Sequence, residues 1–211
     1  MKIIWTGSYK KFNEINLKKN PFETRKWLDQ VFKKKNLTSN YKKNNSHDNV
    51  LNQYLLTFDF LNKNYLKKPI NIIDFGGGAG DLYFKIKKKY ENLILDYKVY
   101  ENKYLVSFLT KKYKNAGLKF ISKLPHNQKI DLFFAGSSMQ YIDDWKKLLL
   151  KYIKLKTKFF IFCDFPILNK KSIITKQNYY NNDIPVRLYK FDDVVYYFKE
   201  NDYKLVYKKK I

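Results

Sequence analysis

Four of the chain's seven glycines fall within five positions, Gly76-Gly77-Gly78-Ala79-Gly80. They follow the apolar run Ile70-Asn71-Ile72-Ile73-Asp74-Phe75 and lead into a stretch with helical spacing from Asp81. A buried strand that turns through bare backbone into a helix predicts an open α/β sheet. In such a sheet a ligand sits at the carboxyl ends of the strands, near the point where strand order reverses. Glycines admit positive φ and let a ligand lie against the main chain. The helix that follows offers free N–H groups and a positive dipole end.

The remainder of the chain carries the same grammar. Strands are predicted at 70–75, 95–101, 118–122, 129–136 and 158–164, and helices at 81–90, 102–113, 143–153 and 192–200. Their alternation means a parallel sheet. Residues 165–190 read as irregular, with short strands at SIITKQ and VRLYKF, and YKLVYKKK (203–210) reads as a last strand. Residues 1–68 are lysine-rich and read as a helical cap or arm preceding a core at 69–211. Within them, Asn20-Pro21 with Glu23 has the form of an N-cap, a first-position proline and a capping box. Helical spacing follows over 22–37 and again over 50–66, with a polar loop at 38–49.

Composition narrows the class. With 45% hydrophobic and 18% aromatic residues among 211, a packed core is expected and disorder is not. Apolar runs such as Phe159 to Cys163 are too short to span a bilayer, and the N-terminus has no secretory signal, so a cytoplasmic protein is expected. The single cysteine, Cys163, excludes an intrachain disulfide or a cysteine zinc site and reads as core. The formal charge of +24 draws polyanions, with exposed charges screened beyond about 8 Å at physiological salt. Yet every basic residue except Arg25 and Arg187 is lysine, and arginine is the residue suited to bidentate phosphate and base reading. A lysine coat imprinted by an AT-rich genome is therefore favoured over a nucleic-acid surface.

The glycine turn selects a ligand. A dinucleotide fingerprint, G-x-G-x-x-G, needs glycine where Asp81 stands. What fits is acid-x-G-x-G-x-G: Asp74, Gly76, Gly78, Gly80. A carboxylate at that strand end would repel a pyrophosphate and attract a cation. The pattern resembles motif I of the Rossmann-like S-adenosylmethionine (SAM) methyltransferases, whose ligand carries an ammonium and a sulfonium. Glu101 ends the next strand, where a carboxylate can accept from both ribose hydroxyls. Gly77, Asp81, Asn102 and Ser122 complete the expected cofactor site. Ser137, Ser138 and Tyr141 join it from GSSMQYIDDW (136–145), at the end of the fourth strand. For that polar stretch, capping of the helix at Asp143 is the competing reading. Asp143 and Asp144 read as caps and no metal is expected. The Pro-Pro-aromatic motif used for base and amide nitrogens is absent. His47 and His126 read as surface residues, and no catalytic residue is assigned. Orientation of two bound reactants can alone supply up to roughly 7–11 kcal/mol.

Over nearly its whole length the chain resembles a group of bacterial SAM-dependent methyltransferases associated with surface-polysaccharide gene clusters. The resemblance rests on Trp5-Thr6-Gly7-Ser8-Tyr9 (W-x-G-x-Y), Asp74-Phe75-Gly76-Gly77 with Tyr83-Phe84, and Tyr100-Glu101. It continues at Ser137-Ser138-Met139-Gln140-Tyr141-Ile142, Asp164, Thr175 and Gln177. It implies a class I methyltransferase sheet with an N-terminal helical extension, SAM as cofactor, and a small-molecule or glycan-precursor acceptor. Similar proteins run on into a further hairpin, so the final antiparallel hairpin is expected to be truncated here. Trp5 and Tyr9, with Gln140, are candidates to line the acceptor pocket; stapling of the N-terminal arm to the core is an equal reading for Trp5 and Tyr9. Three functions follow: O-methylation of a sugar, methylation of nucleic acid, or SAM binding without turnover. Oligomeric state has no sequence signal.

Overall fold

The computed structural model describes residues 5–17, 20–39, 46–125, 128–179 and 182–209. The chain forms two compact units. One comprises residues 21–138 and 154–164; the other comprises 1–20, 139–153 and 165–211. Compactness thus divides the chain differently from the boundary expected at residue 69.

In the first described residues, Trp5–Tyr9 form a strand, β1, not part of a helical arm. Helix α1 spans Arg25–Ser39 and α2 spans Ser46–Asn64. The start of α1 differs from expectation. Pro21–Glu23 form a separate 3-10 turn, and the cap is Thr24, whose Oγ1 accepts from the Trp27 N–H at 3.2 Å. The proline signal marked the turn before the helix. Of the expected loop, Thr38 and Ser39 lie in α1 and Ser46 to Asn49 in α2; residues 40–45 lie outside the described residues. His47 consequently lies in a helix, while His126 is outside the described residues.

The larger unit holds a five-stranded parallel sheet in the order β4-β3-β2-β5-β6. Its strands are β2 (Ile70–Phe75), β3 (Leu95–Tyr100), β4 (Lys119–Ile121), β5 (Leu132–Gly136) and β6 (Phe159–Cys163). Helices α3 (Asp81–Lys89) and α4 (Lys103–Lys112) connect β2 to β3 and β3 to β4. β2 pairs with β3 on one side and β5 on the other, so strand order reverses there. Nearly every β2 residue is buried, as a strand covered on both faces requires. Asp81 opens α3 and Lys87, Lys88 and Lys89 close it, each complementing the helix dipole. The core joins Leu28, Tyr54, Phe58 and Leu61 of α1 and α2 to Ile72, Val99, Leu132 and Phe134 of the sheet.

Asp131 ties the amino ends of β2, β5 and β6 together. It is buried, its Oδ2 accepts from the backbone N–H and the side-chain amide of Asn71, both at 3.0 Å, and its Oδ1 pairs with Lys158 Nζ at 2.8 Å. Burial pushes this carboxyl up, but the Lys158 ammonium and the two Asn71 bonds outweigh it and hold the group below its ordinary value.

The smaller unit holds a four-stranded sheet ordered β1-β8-β9-β7, with β7 at Ile167–Leu168, β8 at Ile173–Tyr179 and β9 at Asn182–Lys190. β1 and β9 flank β8 in antiparallel pairs, and β7 runs parallel to β9. The region read as irregular is therefore a long hairpin. Pro185, which donates no ladder bond, had weakened its strand signal. Helices α5 (Trp145–Lys154) and α6 (Phe191–Lys199) complete the description, with Trp145 packed edge-on to Tyr189 and Tyr197. Residues 203–209 form no strand. Leu205, Val206 and Tyr207 are exposed.

Replacing Asp131 by alanine leaves Lys158 and two Asn71 donors without their acceptor. Denaturant unfolding should show a loss of about 3 kcal/mol, with Asp131→Asn losing less. Because the folded carboxyl is held below its unfolded value, the contribution should be present above about pH 4 and vanish in wild type as pH falls further.

Candidate functional site

The carboxyl edge of the parallel sheet gathers the acids and glycines that the sequence singled out. β2 delivers Asp74 beside Val99 of β3 and Phe134 of β5. Asp74 is buried, and its Oδ2 accepts a 2.7 Å hydrogen bond from the Tyr97 hydroxyl. Glu101 follows β3, its backbone N–H bonded to the Ile121 carbonyl at 2.9 Å, and its Oε1 accepts from the Gly78 N–H at 3.0 Å. The two carboxylates thus stand on either side of the glycine turn.

The glycines are bare mostly for reasons internal to the protein. A Cβ on Gly77 would lie 2.3 Å from the Asp74 carboxyl, one on Gly76 2.6 Å from Ser138 Cβ, and one on Gly80 2.5 Å from a Leu118 methyl. Gly78 alone of the four would take a Cβ in ordinary contact, its nearest neighbour being a Val31 methyl at 3.9 Å. Its φ of +58° is one that glycine adopts without strain. It is also the glycine whose N–H reaches Glu101.

Several expected site residues have structural partners. Asn102 caps α4 through its Oδ1, which accepts from the Leu105 N–H at 2.8 Å, and its amide nitrogen donates to the Phe22 carbonyl at 3.1 Å. Ser138 Oγ donates to the Phe75 carbonyl at 2.8 Å. Ser122 lies just past β4 and Asp81 at the start of α3, both partly buried. Ser137 and Asp164, at the ends of β5 and β6, both have positive φ, and the Ser137 hydroxyl donates to the Asp164 carboxylate. Strained non-glycine backbone of this kind clusters at functional sites.

Tyr141, Gln140, Trp5 and Tyr9 belong to the other unit. There the Tyr141 hydroxyl donates to Gln177 Oε1 at 3.1 Å, and Gln177 lies opposite Trp5 in the β1–β8 ladder. Trp5 is 46% exposed. Gln140 is buried, and its side-chain carbonyl has no hydrogen-bond donor among the described residues. Tyr9 packs against Phe12, Ile15 and Ile174, which fits the stapling role. Asp144 caps α5 by accepting from the Lys147 N–H at 3.0 Å, and Asp143 pairs with Arg187 at 3.3 Å.

The electrostatics of the acids are unusual. Burial pushes Asp74 up to about 7; the Tyr97 bond opposes this, and the Glu101 and Asp81 carboxylates add to it. Burial likewise pushes Glu101 up to about 7 against the stabilising N–H bonds from Gly78 and Asn102. Such a pair is poised to ionise when a cation arrives. Sequence reasoning found both acids but missed Tyr97, Tyr54 and Val31, which line this edge from positions without any local motif. Among the described residues no group of three His, Cys, Asp or Glu is placed to hold a metal ion, and no helix is long and apolar enough to cross a membrane.

No family model matches the sequence, and no curated protein matches it. Solved structures do. One is a chain from the complex between the Haloferax volcanii Trm112 methyltransferase activator and a protein described as a methyltransferase. It matches at 11% identity over 88% of this chain and 76% of that one, with a TM-score of 0.52. An S-adenosylmethionine-dependent methyltransferase from Clostridium acetobutylicum matches at 16% identity over 83% and 86%, with a TM-score of 0.49. The plantazolicin methyltransferase BpumL, solved with a pentazolic desmethylPZN analog and SAH, matches at 18% over 61% and 52%, with a TM-score of 0.42. The chain spans about half the length of BpumL. At these identities the likeness is one of fold: a Rossmann-like α/β sheet of the methyltransferase type.

The raised acids make stability depend on pH. Unfolded, both carboxyls ionise near pH 4; folded, they hold their protons to about 7. The folded state therefore binds more protons in between, and the ligand-free protein should lose stability as pH rises from 4 through 7. Thermal melts from pH 5 to 8 should show a fall of several degrees in wild type. Asp74→Asn combined with Glu101→Gln should flatten that slope.

Proposed function

We propose that the chain is a SAM-dependent methyltransferase acting on a hydroxyl oxygen of a sugar or another glycan-related small molecule. The observation that carries the reading is the buried acid pair beside the glycine turn, at the strand-order reversal, with the Gly78 N–H on Glu101. Its donor set suits a cationic nucleoside. Asp74 would attract the ammonium, directly or through water, and Glu101 would exchange its Gly78 bond for the ribose hydroxyls. SAM, when bound, supplies an electrophilic methyl group on a sulfonium. A pyrophosphate would meet two carboxylates and gain nothing from them.

The chain's own contribution is binding, orientation and exclusion of water. Tyr97 fixes the Asp74 carboxylate so that it need not reorganise when a cation arrives. The described residues supply no evident general base, which suits a reaction driven by in-line placement of two bound reactants. For the acceptor, the candidates are Trp5, Tyr9 and Gln140, and Gln177 and Tyr141 are the polar groups beside Trp5. An exposed indole beside amide and hydroxyl groups is the chemistry that holds sugar rings, with the apolar ring face on the aromatic and hydroxyls on the amides. The bacterial, polysaccharide-linked setting rests on the W-x-G-x-Y and S-S-x-Q-Y resemblance. The charge of +24 favours a second reading, methylation of RNA.

Calorimetry with S-adenosylhomocysteine (SAH) should show binding where NAD shows none. Asp74→Ala or Glu101→Ala should weaken it at least tenfold, about 1.4 kcal/mol; unchanged affinity would overturn the reading. Methyl transfer should appear with a member of a panel of free and nucleotide-linked sugars. Trp5→Ala should raise KM for that sugar while leaving SAH affinity intact. Transfer to RNA alone, with salt-sensitive binding, would replace the sugar by the second reading.

A further inference from the structure

Two exposed residues at the carboxyl edge of the parallel sheet hold a backbone conformation that side chains rarely adopt. Ser137 follows β5 with a φ of +50°, and Asp164 follows β6 with a φ of +47°. Glycine is free of strain at such angles, and the chain uses it at 76, 78 and 80 of the neighbouring turn. At 137 and 164 it keeps side chains instead, and the two meet: the Ser137 hydroxyl donates to Asp164 Oδ2. The strand ladder continues beneath them, with the Ser137 N–H on the Cys163 carbonyl at 3.1 Å. Asp164 Oδ1 has no hydrogen-bond partner among the described residues. Both residues are exposed, so packing does not demand them. What the strain preserves is an accessible carboxylate with one oxygen fixed and the other free.

The pair's place in the sheet decides what it would meet. Ser138 joins it to the glycine turn: its Oγ donates to the Phe75 carbonyl at 2.8 Å, and a Cβ on Gly76 would lie 2.6 Å from Ser138 Cβ. Along the edge the order is therefore Glu101 past β3, the glycine turn past β2, then Ser137 and Asp164 past β5 and β6. Neighbouring strands lie roughly 4.8 Å apart, which puts Asp164 three spacings, roughly 14 Å, from the end of β3. A nucleoside held at Glu101 and Asp74 covers the near part of that row and leaves the far end for a second reactant. On the reading that the chain is an O-methyltransferase, we infer that Asp164 binds the acceptor hydroxyl, with Ser137 as the positioning residue that holds its carboxylate. A carboxylate is too weak a base to deprotonate a sugar hydroxyl in advance, so its first effect is orientation: the hydroxyl donates to Oδ1 and keeps a lone pair for the methyl. As the oxygen–carbon bond forms and the carbon–sulfur bond breaks, the electron pair of the broken bond stays on sulfur. The hydroxyl proton passes to Asp164 and from there to water.

Asp164→Asn suits the test because asparagine tolerates the same backbone and keeps one carbonyl acceptor. With the panel sugar that wild type methylates, its kcat should fall about 100-fold, with KM changed by less than about threefold and SAH affinity within about a factor of two. Ser137→Ala should lose roughly tenfold in kcat with KM unchanged. Asp164→Gly removes the carboxylate and the strain together. Its melting temperature should stay within about 2 °C of wild type, while saturation-transfer NMR of the sugar on the SAH-loaded protein shows binding about tenfold weaker. A kcat for Asp164→Asn within about threefold of wild type, or SAH affinity lost along with transfer, would overturn the inference. So would a glycine variant that melts more than about 5 °C lower, since the pair would then be holding the strands together. Wild type that binds SAH yet methylates no sugar on the panel would overturn the sugar reading and this inference with it. Wild type that does not bind SAH would overturn the cofactor reading as well.

Discussion

Burying Asp74 next to Glu101 costs the folded chain free energy that a proton or a cation must return. Much around the pair follows from that cost. Tyr97 spends its hydroxyl on Asp74, and Gly78 spends a backbone N–H on Glu101. Gly77 gives up its side chain so that the Asp74 carboxyl can lie against the turn. The parallel sheet is what makes the arrangement affordable, because it brings two strand ends and one helix start to the same edge without any long-range coincidence.

The opposite edge of the sheet shows the same chemistry used for stability. Asp131 is as buried as Asp74 but has a lysine and two Asn71 donors, and its carboxyl is held below its ordinary value where those of Asp74 and Glu101 are raised. One acid faces an ammonium; no cation acts on the other two. A buried acid beside a cation ties strands together, and a raised pair without one is where the proposed cation would sit.

What the sequence revealed follows the range of the interactions involved. The unit from β2 through β3 was legible to within a residue, because a β-branched run, a glycine turn and an acid at the next strand end are all local signals. β1 was not, since five residues carry little periodicity and its identity comes from pairing with β8 far along the chain. The β8–β9 hairpin was under-read because Pro185 and a polar β8 blur the alternation. The last residues misled in the other direction: they alternate like a strand, yet 203–209 form none among the described residues. Among site residues, Asp74 and Glu101 could be read from spacing, whereas the ties from Asn102 to Phe22 and from Ser138 to Phe75 are contacts that only the fold supplies. Of the motif residues scattered along the sequence, Trp5 and Gln177 prove to be opposite each other in one small sheet, with the Tyr141 hydroxyl bonded to Gln177.

The helical extension illustrates why a lysine-rich segment should not be taken for an appendage. Its exposed faces carry the charge that made it look detachable, but Leu28 and Phe58 are among the most completely buried side chains in the protein. They share one core with the sheet. Val31 approaches Gly78, and Tyr54 comes down on Gly136. The extension therefore walls the same edge that the acids occupy, and its two contributions sit over the two strand ends flanking the reversal of strand order. Gly136 and Tyr54 form a reciprocal requirement: a side chain at 136 would expel the ring, and loss of the ring would leave bare backbone facing an empty space. Such pairing of a small residue on a strand with a large one on a distant helix has no local sequence signature.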